Sequence, residues 1–288
     1  MSPPRVWLVT GSSSGFGLAM CKHALARGDK VVATLRTPSA LDALAAQHSE
    51  QLLIAQVDVT RADEVAAAFR AAKARFGRVD VVFNNAAASV VGEIEGVPDA
   101  DARHVFEVDF WGAAAVSKEA VRFFREENPA GTGGVLLNVS SQWGHISFPC
   151  SAYYSAAKHA LEAFTEALAY EVDPKWNVKI CLITPGAFRT DIRNKATAAP
   201  VHPAYADVDL VKRARHALDT IWDEAKSTRI GDVNKAVAKI YEASALEKLP
   251  MRIVLGDACI ERIRKEHTRV AADLDASEKW SEGLQEDE

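Results

Sequence analysis

The chain has 288 residues, 48% of them apolar and 25% charged, with a formal net charge of −5 and a pI near 5.9. That length buries a substantial core, and the acidic balance argues against a nucleic-acid or anionic-membrane surface. No apolar run approaches the ~20 residues that span a bilayer, and Met1–Arg5 passes directly into a strand-like segment, so neither a membrane span nor a signal peptide is expected. Cys21, Cys150, Cys181 and Cys259 are scattered without metal or disulfide spacing, which makes a reduced, cytoplasmic setting the expectation.

Val6–Thr10 is a short apolar run that ends at Gly11 and reads as a buried strand. Thr10-Gly11-Ser12-Ser13-Ser14-Gly15-Phe16-Gly17 follows, and then the helix-like Leu18–Arg27. Glycines at a strand-to-helix junction let backbone N–H groups approach a pyrophosphate, and the helix N-terminus adds the positive end of its dipole. Lys30–Leu35 is a second strand, ending at Arg36. A carboxylate at this point grips a free ribose 2′-hydroxyl, whereas a basic group accepts a 2′-phosphate. No acid stands between Thr34 and Thr37, so Arg36 favours NADP(H); the alternative is a solvated charge at a strand end.

Ala40–His48 reads as a helix and Leu52–Val57 as a third strand that stops at Asp58-Val59-Thr60. Asp58 could accept a hydrogen bond from an adenine amino group or cap the next helix, which is marked by Val65, Phe69, Ala72 and Phe76 and ended by Gly77. Val79–Phe83, the fourth strand, runs into Asn84-Asn85-Ala86-Ala87, and a long helix is expected over 102–126. Val135–Val139 is a fifth strand that delivers Ser141, followed by a loop over 142–151 with Trp143, His145 and Phe148. The helix 152–172 carries Tyr154 and Lys158 one turn apart on one face. A sixth strand, Val178–Thr184, ends at Pro185-Gly186. Strands alternating with amphipathic helices predict βαβ units, hence an α/β fold with a doubly wound parallel sheet of about seven strands.

From 187 to 230 the pattern loosens and reads as a substrate lid, with a helix only over 211–225. A helix at 232–243, a seventh strand at Met251–Leu255 and a terminal helix to about Leu274 complete the chain, and the acidic tail 275–288 is expected to fray. With no linker or repeat, residues 1–288 read as a single domain.

Taken together, these stretches resemble the short-chain dehydrogenase/reductase family in its conventional, non-extended form, over about residues 5 to 260. The loop Thr10–Gly17, Asp58, the Asn84–Ala87 segment, Ser141 with the Tyr154/Lys158 pair, and Pro185-Gly186 with Thr190 carry the resemblance. It implies a Rossmann-type NAD(P) site formed by Gly11, Ser13, Ser14, Gly15, Phe16, Gly17, Arg36, Asp58, Val59, Asn85, Ala86, Tyr154, Lys158, Pro185, Gly186, Phe188 and Thr190. It further implies that Ser141, Tyr154 and Lys158 are catalytic, with Asp109 at the fourth catalytic position, and that Ser141, Trp143 and Tyr154 meet the substrate. The implied activity is NADPH-dependent reduction of a ketone, or the reverse oxidation of an alcohol, on a small, largely apolar molecule, by a homodimer or homotetramer. The resemblance shows two departures. Ala87 replaces a glycine, and Asp109 replaces an asparagine, bringing a negative charge towards Lys158 that opposes a Tyr154 phenolate. The alternative reading is therefore an NADP(H)-binding regulatory or scaffold protein with impaired chemistry.

Overall fold

A computed structural model of the chain describes residues 3–220 and 230–285. Seven strands form one parallel sheet: β1 (Val6–Thr10), β2 (Lys30–Leu35), β3 (Leu52–Gln56), β4 (Val81–Asn84), β6 (Gly134–Val139), β7 (Val178–Pro185) and β9 (Arg252–Leu255). Their order across the sheet is β3-β2-β1-β4-β6-β7-β9. The strand order therefore reverses between β1 and β4, and a crevice opens at their carboxyl ends, where a doubly wound sheet takes its ligands. Both faces of the central strands are buried: Trp7 and Val9 join one apolar cluster, Val6 and Leu8 the other. This is why β1 reads as an unbroken apolar run.

Helices α1 (Gly15–Ala26), α2 (Asp42–Gln47), α3 (Ala62–Phe76), α4 (Asp99–Phe106), α5 (Ala113–Glu126) and α6 (Ala152–Glu171) connect the first six of these strands. The expected helix over 40–48 is a 3-10 turn at Pro38–Leu41 followed by α2, with the turn starting at proline's pre-set φ. The expected single helix over 102–126 is three pieces: α4, a wide π turn at Glu107–Gly112, and α5. Such turns insert a residue into the helical ladder and re-aim side chains; this one carries the buried Asp109.

The segment expected as a lid holds more structure, among its described residues, than its sequence shows. Short α7 (Ile192–Lys195) precedes β8 (Thr197–Ala198), which pairs in parallel with β5 (Val90–Val91), and α8 (Asp209–Thr220) follows. A two-residue strand has no readable period. Part of the helix expected over 211–225, together with the rest of the lid to 229, lies outside the described residues. The lid is tied down by Arg215 of α8, whose Nε and Nη2 each reach a carboxylate oxygen of buried Glu93 at 2.6 Å. Then come α9 (Val233–Ala243) and α10 (Asp257–Ser277). α10 runs two residues past the expected start of the acidic tail, to Ser277, and a turn follows at Glu278–Trp280. Arg269 bridging to Asp273 at 2.7 Å, and Ser277 donating to the Asp273 carbonyl at 2.6 Å, hold its last turns. All four cysteines are free and buried. Among the described residues no helix is long and apolar enough to cross a membrane.

Candidate active site

The loop after β1 is built around close backbone approach. A Cβ at Gly17 would collide with the Gly11 carbonyl, and Gly11 itself takes φ of +67°, so both positions need glycine. Thr10 Oγ1 accepts from the backbone N–H groups of Asn85 (2.8 Å) and Ala86 (2.9 Å), pinning the segment after β4 against the loop. Ser14 precedes α1 without capping it, and the first turn of α1 contains no acid. The uncapped N–H groups and dipole of that helix end thus suit an anion such as a diphosphate.

A cleft of about 490 Å³ runs from this loop across the carboxyl ends of the strands. Gly11, Ser13, Ser14, Gly15, Phe16, Arg36, Asp58, Val59, Asn85, Ala86, Ser141, Trp143, Tyr154, Lys158, Pro185, Gly186, Phe188 and Thr190 all line it. Of the site residues expected from sequence, only Gly17 and Asp109 do not: Gly17 packs behind the loop and Asp109 lies beneath the cleft floor. Asp58 also serves locally, since its Oδ1 accepts from the Thr60 N–H at 3.0 Å and hydroxyl at 2.8 Å. Ala87 has no positive φ, so the missing glycine costs no backbone strain there.

Tyr154 and Lys158 stand on the buried face of α6, with Leu161, Glu162 and Thr165 continuing that face at helical spacing. Ser141 follows β6 and lines the same cleft as Tyr154, whose phenol it draws down. Ser141 Oγ also accepts from the Trp143 N–H at 3.3 Å, which fixes the start of the loop beside the tyrosine. Lys158 Nζ donates to the Val139 carbonyl at 3.1 Å and sits 5.6 Å from the Tyr154 ring centroid. On its other side it meets Asp109 Oδ2 at 3.2 Å, with the two side chains 2% and 0% exposed. Asp109 Oδ1 accepts from the Ala88 N–H at 2.6 Å, so the carboxylate links the β4 segment to the lysine.

Burial pushes the Tyr154 phenol above its ordinary range; the Lys158 ammonium pulls it back and the Asp109 carboxylate pushes it further up. For Lys158, burial works against the ammonium, but Asp109 and Tyr154 outweigh it and raise the lysine. Burial also raises the Asp109 carboxyl, against the pull of Lys158. The direction we stand behind is an ion pair beside a protonated phenol, because two opposite charges in contact hold each other ionised in a dry setting.

Several contributing residues lay outside the list of site residues expected from sequence. Lys195 of α7 reaches the glycine loop, with Nζ 2.6 Å from Ser14 Oγ and 3.4 Å from Ser13 Oγ. Asn84 Nδ2 donates to Asn138 Oδ1 at 2.9 Å, and Asn138 Nδ2 to Thr165 Oγ1 at 2.9 Å, a buried chain that sets α6 against the strands. Asn84 and Asn138 sit inside apolar strands, and a polar residue there was the available hint. His145 does not line the cleft; its Nε2 lies 3.5 Å from Glu162 Oε1 in a buried cluster with Arg252. Tyr153 donates to the Ile94 carbonyl at 3.2 Å, a packing role.

A doubly wound sheet with a glycine loop at its switch point and a serine, tyrosine and lysine in one cleft defines a class of nucleotide-dependent oxidoreductases. The family model for short chain dehydrogenases matches residues 5–200, and the chain belongs to that family. It is 36% identical over 283 residues to an uncharacterised oxidoreductase of Schizosaccharomyces pombe, covering 98% of this chain and 92% of that protein. Among solved structures, a short-chain dehydrogenase from Streptomyces avermitilis superposes with a TM-score of 0.87 at 35% identity, over 99% of this chain and 100% of that one. A Burkholderia phymatum relative solved with NAD shares the fold at a TM-score of 0.79 and 23% identity, over 94% of this chain and 95% of that one. A Burkholderia cenocepacia relative solved with NADP shares it at a TM-score of 0.69 and 22% identity, over 95% of each chain.

Proposed function

We propose that this oxidoreductase reduces a ketone or aldehyde, or oxidises the corresponding alcohol, with NADP(H) preferred over NAD(H). The observation that carries the reading is the meeting of Ser141, Tyr154 and Lys158 at the floor of a cleft whose far end is the glycine loop. When bound, the nicotinamide supplies the hydride. Ser141 orients the carbonyl and donates to the oxygen as negative charge develops there. Tyr154, held protonated, gives its proton to that oxygen, and Lys158 steadies the phenolate left behind. In the oxidative direction Tyr154 must first be the phenolate. Arg36, exposed at the end of β2 and lining the cleft, supplies the charge for a 2′-phosphate.

NADPH consumption over a panel of apolar ketones and aldehydes tests this reading. Tyr154→Phe should abolish turnover, and Arg36→Ala should lower the NADPH/NADH ratio of kcat/KM by about tenfold or more, the loss of one charge-assisted contact. Turnover that survives Tyr154→Phe would sink the mechanism, and an unchanged ratio the cofactor preference. The contact between Asp109 and Lys158 supports a second reading, a cofactor-binding protein with impaired chemistry. Under it, wild type is silent and Asp109→Asn turns over. The assembly proposed is a homodimer or homotetramer through the α5 and α6 side, where Trp111 and Tyr170 are 57% and 81% exposed. Light scattering that finds only monomer would remove it.

A further inference from the structure

A second cavity, of about 870 Å³, lies between the loop at 142–148, α8 and α10. It shares two side chains with the catalytic cleft, Trp143 and Leu218. Trp143 stands edge-on to the Tyr154 ring at 5.8 Å and is stacked on Phe148 at 5.8 Å and 18°. The same indole therefore borders the reacting group on one side and, through Phe148, the second cavity on the other.

The walls of that second space are mostly hydrocarbon. Ile146 and Phe148 come from the loop, Ala217 and Leu218 from α8, and Ala272 from α10. Arg262, Lys265 and Arg269 recur with Ala272 along one stripe of α10 and their methylene stems add apolar surface; Arg262 Nη1 donates to Gln142 Oε1 at 3.3 Å, and Arg269 pairs with Glu266 and Asp273 at 2.6 and 2.7 Å.

Position points to what the second space is for, because Trp143 and Leu218 wall both it and the catalytic cleft. The catalytic cleft measures about 490 Å³, and a dinucleotide is larger than the drug-sized ligands for which pockets of ~300–1,000 Å³ suffice. A bound dinucleotide would occupy the end of the cleft at the glycine loop, and the reacting carbonyl the end at Ser141 and Tyr154, beside the wall shared with the second cavity.

We propose that the second cavity is the subsite for the substrate's apolar tail, and that the substrate class is a long-chain ketone or secondary alcohol. Its oxygen sits at Ser141 and Tyr154, and its chain passes Trp143 and Leu218 to lie between α8 and α10. This rests on the carbonyl-reduction reading above, in which hydride goes to the carbonyl carbon and the Tyr154 proton to its oxygen. Selectivity is then set by chain length, because each methylene taken fully out of water is worth about fourfold in affinity.

The test uses the full-length protein with NADPH and a series of methyl ketones from butanone to dodecanone. Both kcat/KM and calorimetric affinity are measured for wild type, Ala272→Trp and Ala217→Trp. Both alanines are exposed on their helices and neither belongs to the catalytic or cofactor residues, so a bulky side chain fills the groove without entering the core. Wild type should gain about two- to fourfold per methylene until the groove is full. Each variant should lose about tenfold or more on dodecanone while butanone stays within about twofold. A flat wild-type series, or the same gain in both variants as in wild type, overturns the subsite. Tight binding of long ketones that the variants weaken, with no ketone turned over, keeps the subsite and overturns the reductase reading. Turnover that ignores chain length keeps the reductase and overturns the subsite.

Discussion

Tyr154 is a phenol whose surroundings favour its protonated form. Burial raises it, Lys158 lowers it, and Asp109 adds to the rise. A raised phenol stays protonated through neutral pH; under the proposed carbonyl reduction that is the donating state, so reduction should be lost only as pH rises through the raised value. Alcohol oxidation needs the phenolate and so gains as pH rises through the same value. Asp109→Asn removes one upward push, so the alkaline fall of reduction and the onset of oxidation should both move to lower pH. Oxidation at neutral pH should then speed up severalfold or more. pH–rate profiles in both directions check this; superimposable profiles would show that the charge does not reach Tyr154. Lys195 poses a separate question at the other end of the cleft. Its ammonium lies over the serines that precede α1, where a cofactor diphosphate would sit. Lys195→Met should weaken NADPH and NADH equally, by about tenfold at low salt and less at high salt. Fluorescence titration reads this directly, and a loss confined to NADPH would place the lysine at the 2′-phosphate instead.

At the scale of elements, α6 and the π turn share one task. The turn aims Asp109 inward from between α4 and α5, and α6 presents Lys158 to it across the cleft floor. The lid is equally specific. Arg215 of α8 meets Glu93 with both arms, and its Nη1 donates to the Ala199 carbonyl at 3.1 Å. The hydrogen bonds from Arg215, opposed by burial, hold the Glu93 carboxyl down at about 2. A depressed carboxyl stabilises the fold fully above its ordinary value of 4.5, and that contribution is lost as pH falls from there towards 2. Glu93→Gln leaves Arg215 without its counter-charge and should cost about 3 kcal/mol, as breaking a buried pair does. Urea unfolding at neutral pH measures the loss. Repeating it at acid pH should show the variant and wild type converging, and an unchanged gap would mean that Glu93 is not the titrating group.

At the scale of the whole molecule, the sheet brings together residues far apart in sequence. Thr10, Asn84, Ser141 and Pro185 all stand at or just beyond the carboxyl ends of adjacent strands. That convergence was legible in the sequence, because each strand is an apolar run ended by a polar or glycine-bearing segment, and the alternation with helices leaves one topology class. The glycine loop and the Tyr154/Lys158 pair were legible for the same reason: both are local, fixed by strand-to-helix geometry and by helical spacing. The interruption at Glu107–Gly112 was not, since residues 102–126 read as continuous helix and nothing in their spacing marks the widened turn. Lys195, the Glu93–Arg215 tie and the second cavity bordered by Trp143 were hidden for a different reason. Each depends on where the lid and α10 lie over the sheet, and no periodicity in 187–230 encodes that placement. The sequence by itself determined the fold, the glycine loop and the candidate trio Ser141, Tyr154 and Lys158, because these follow from backbone geometry and short-range spacing. Only the tertiary structure decided how the lysine is paired, how residues 187–220 are held and where the second cavity lies, because those are contacts between segments that a linear pattern does not relate.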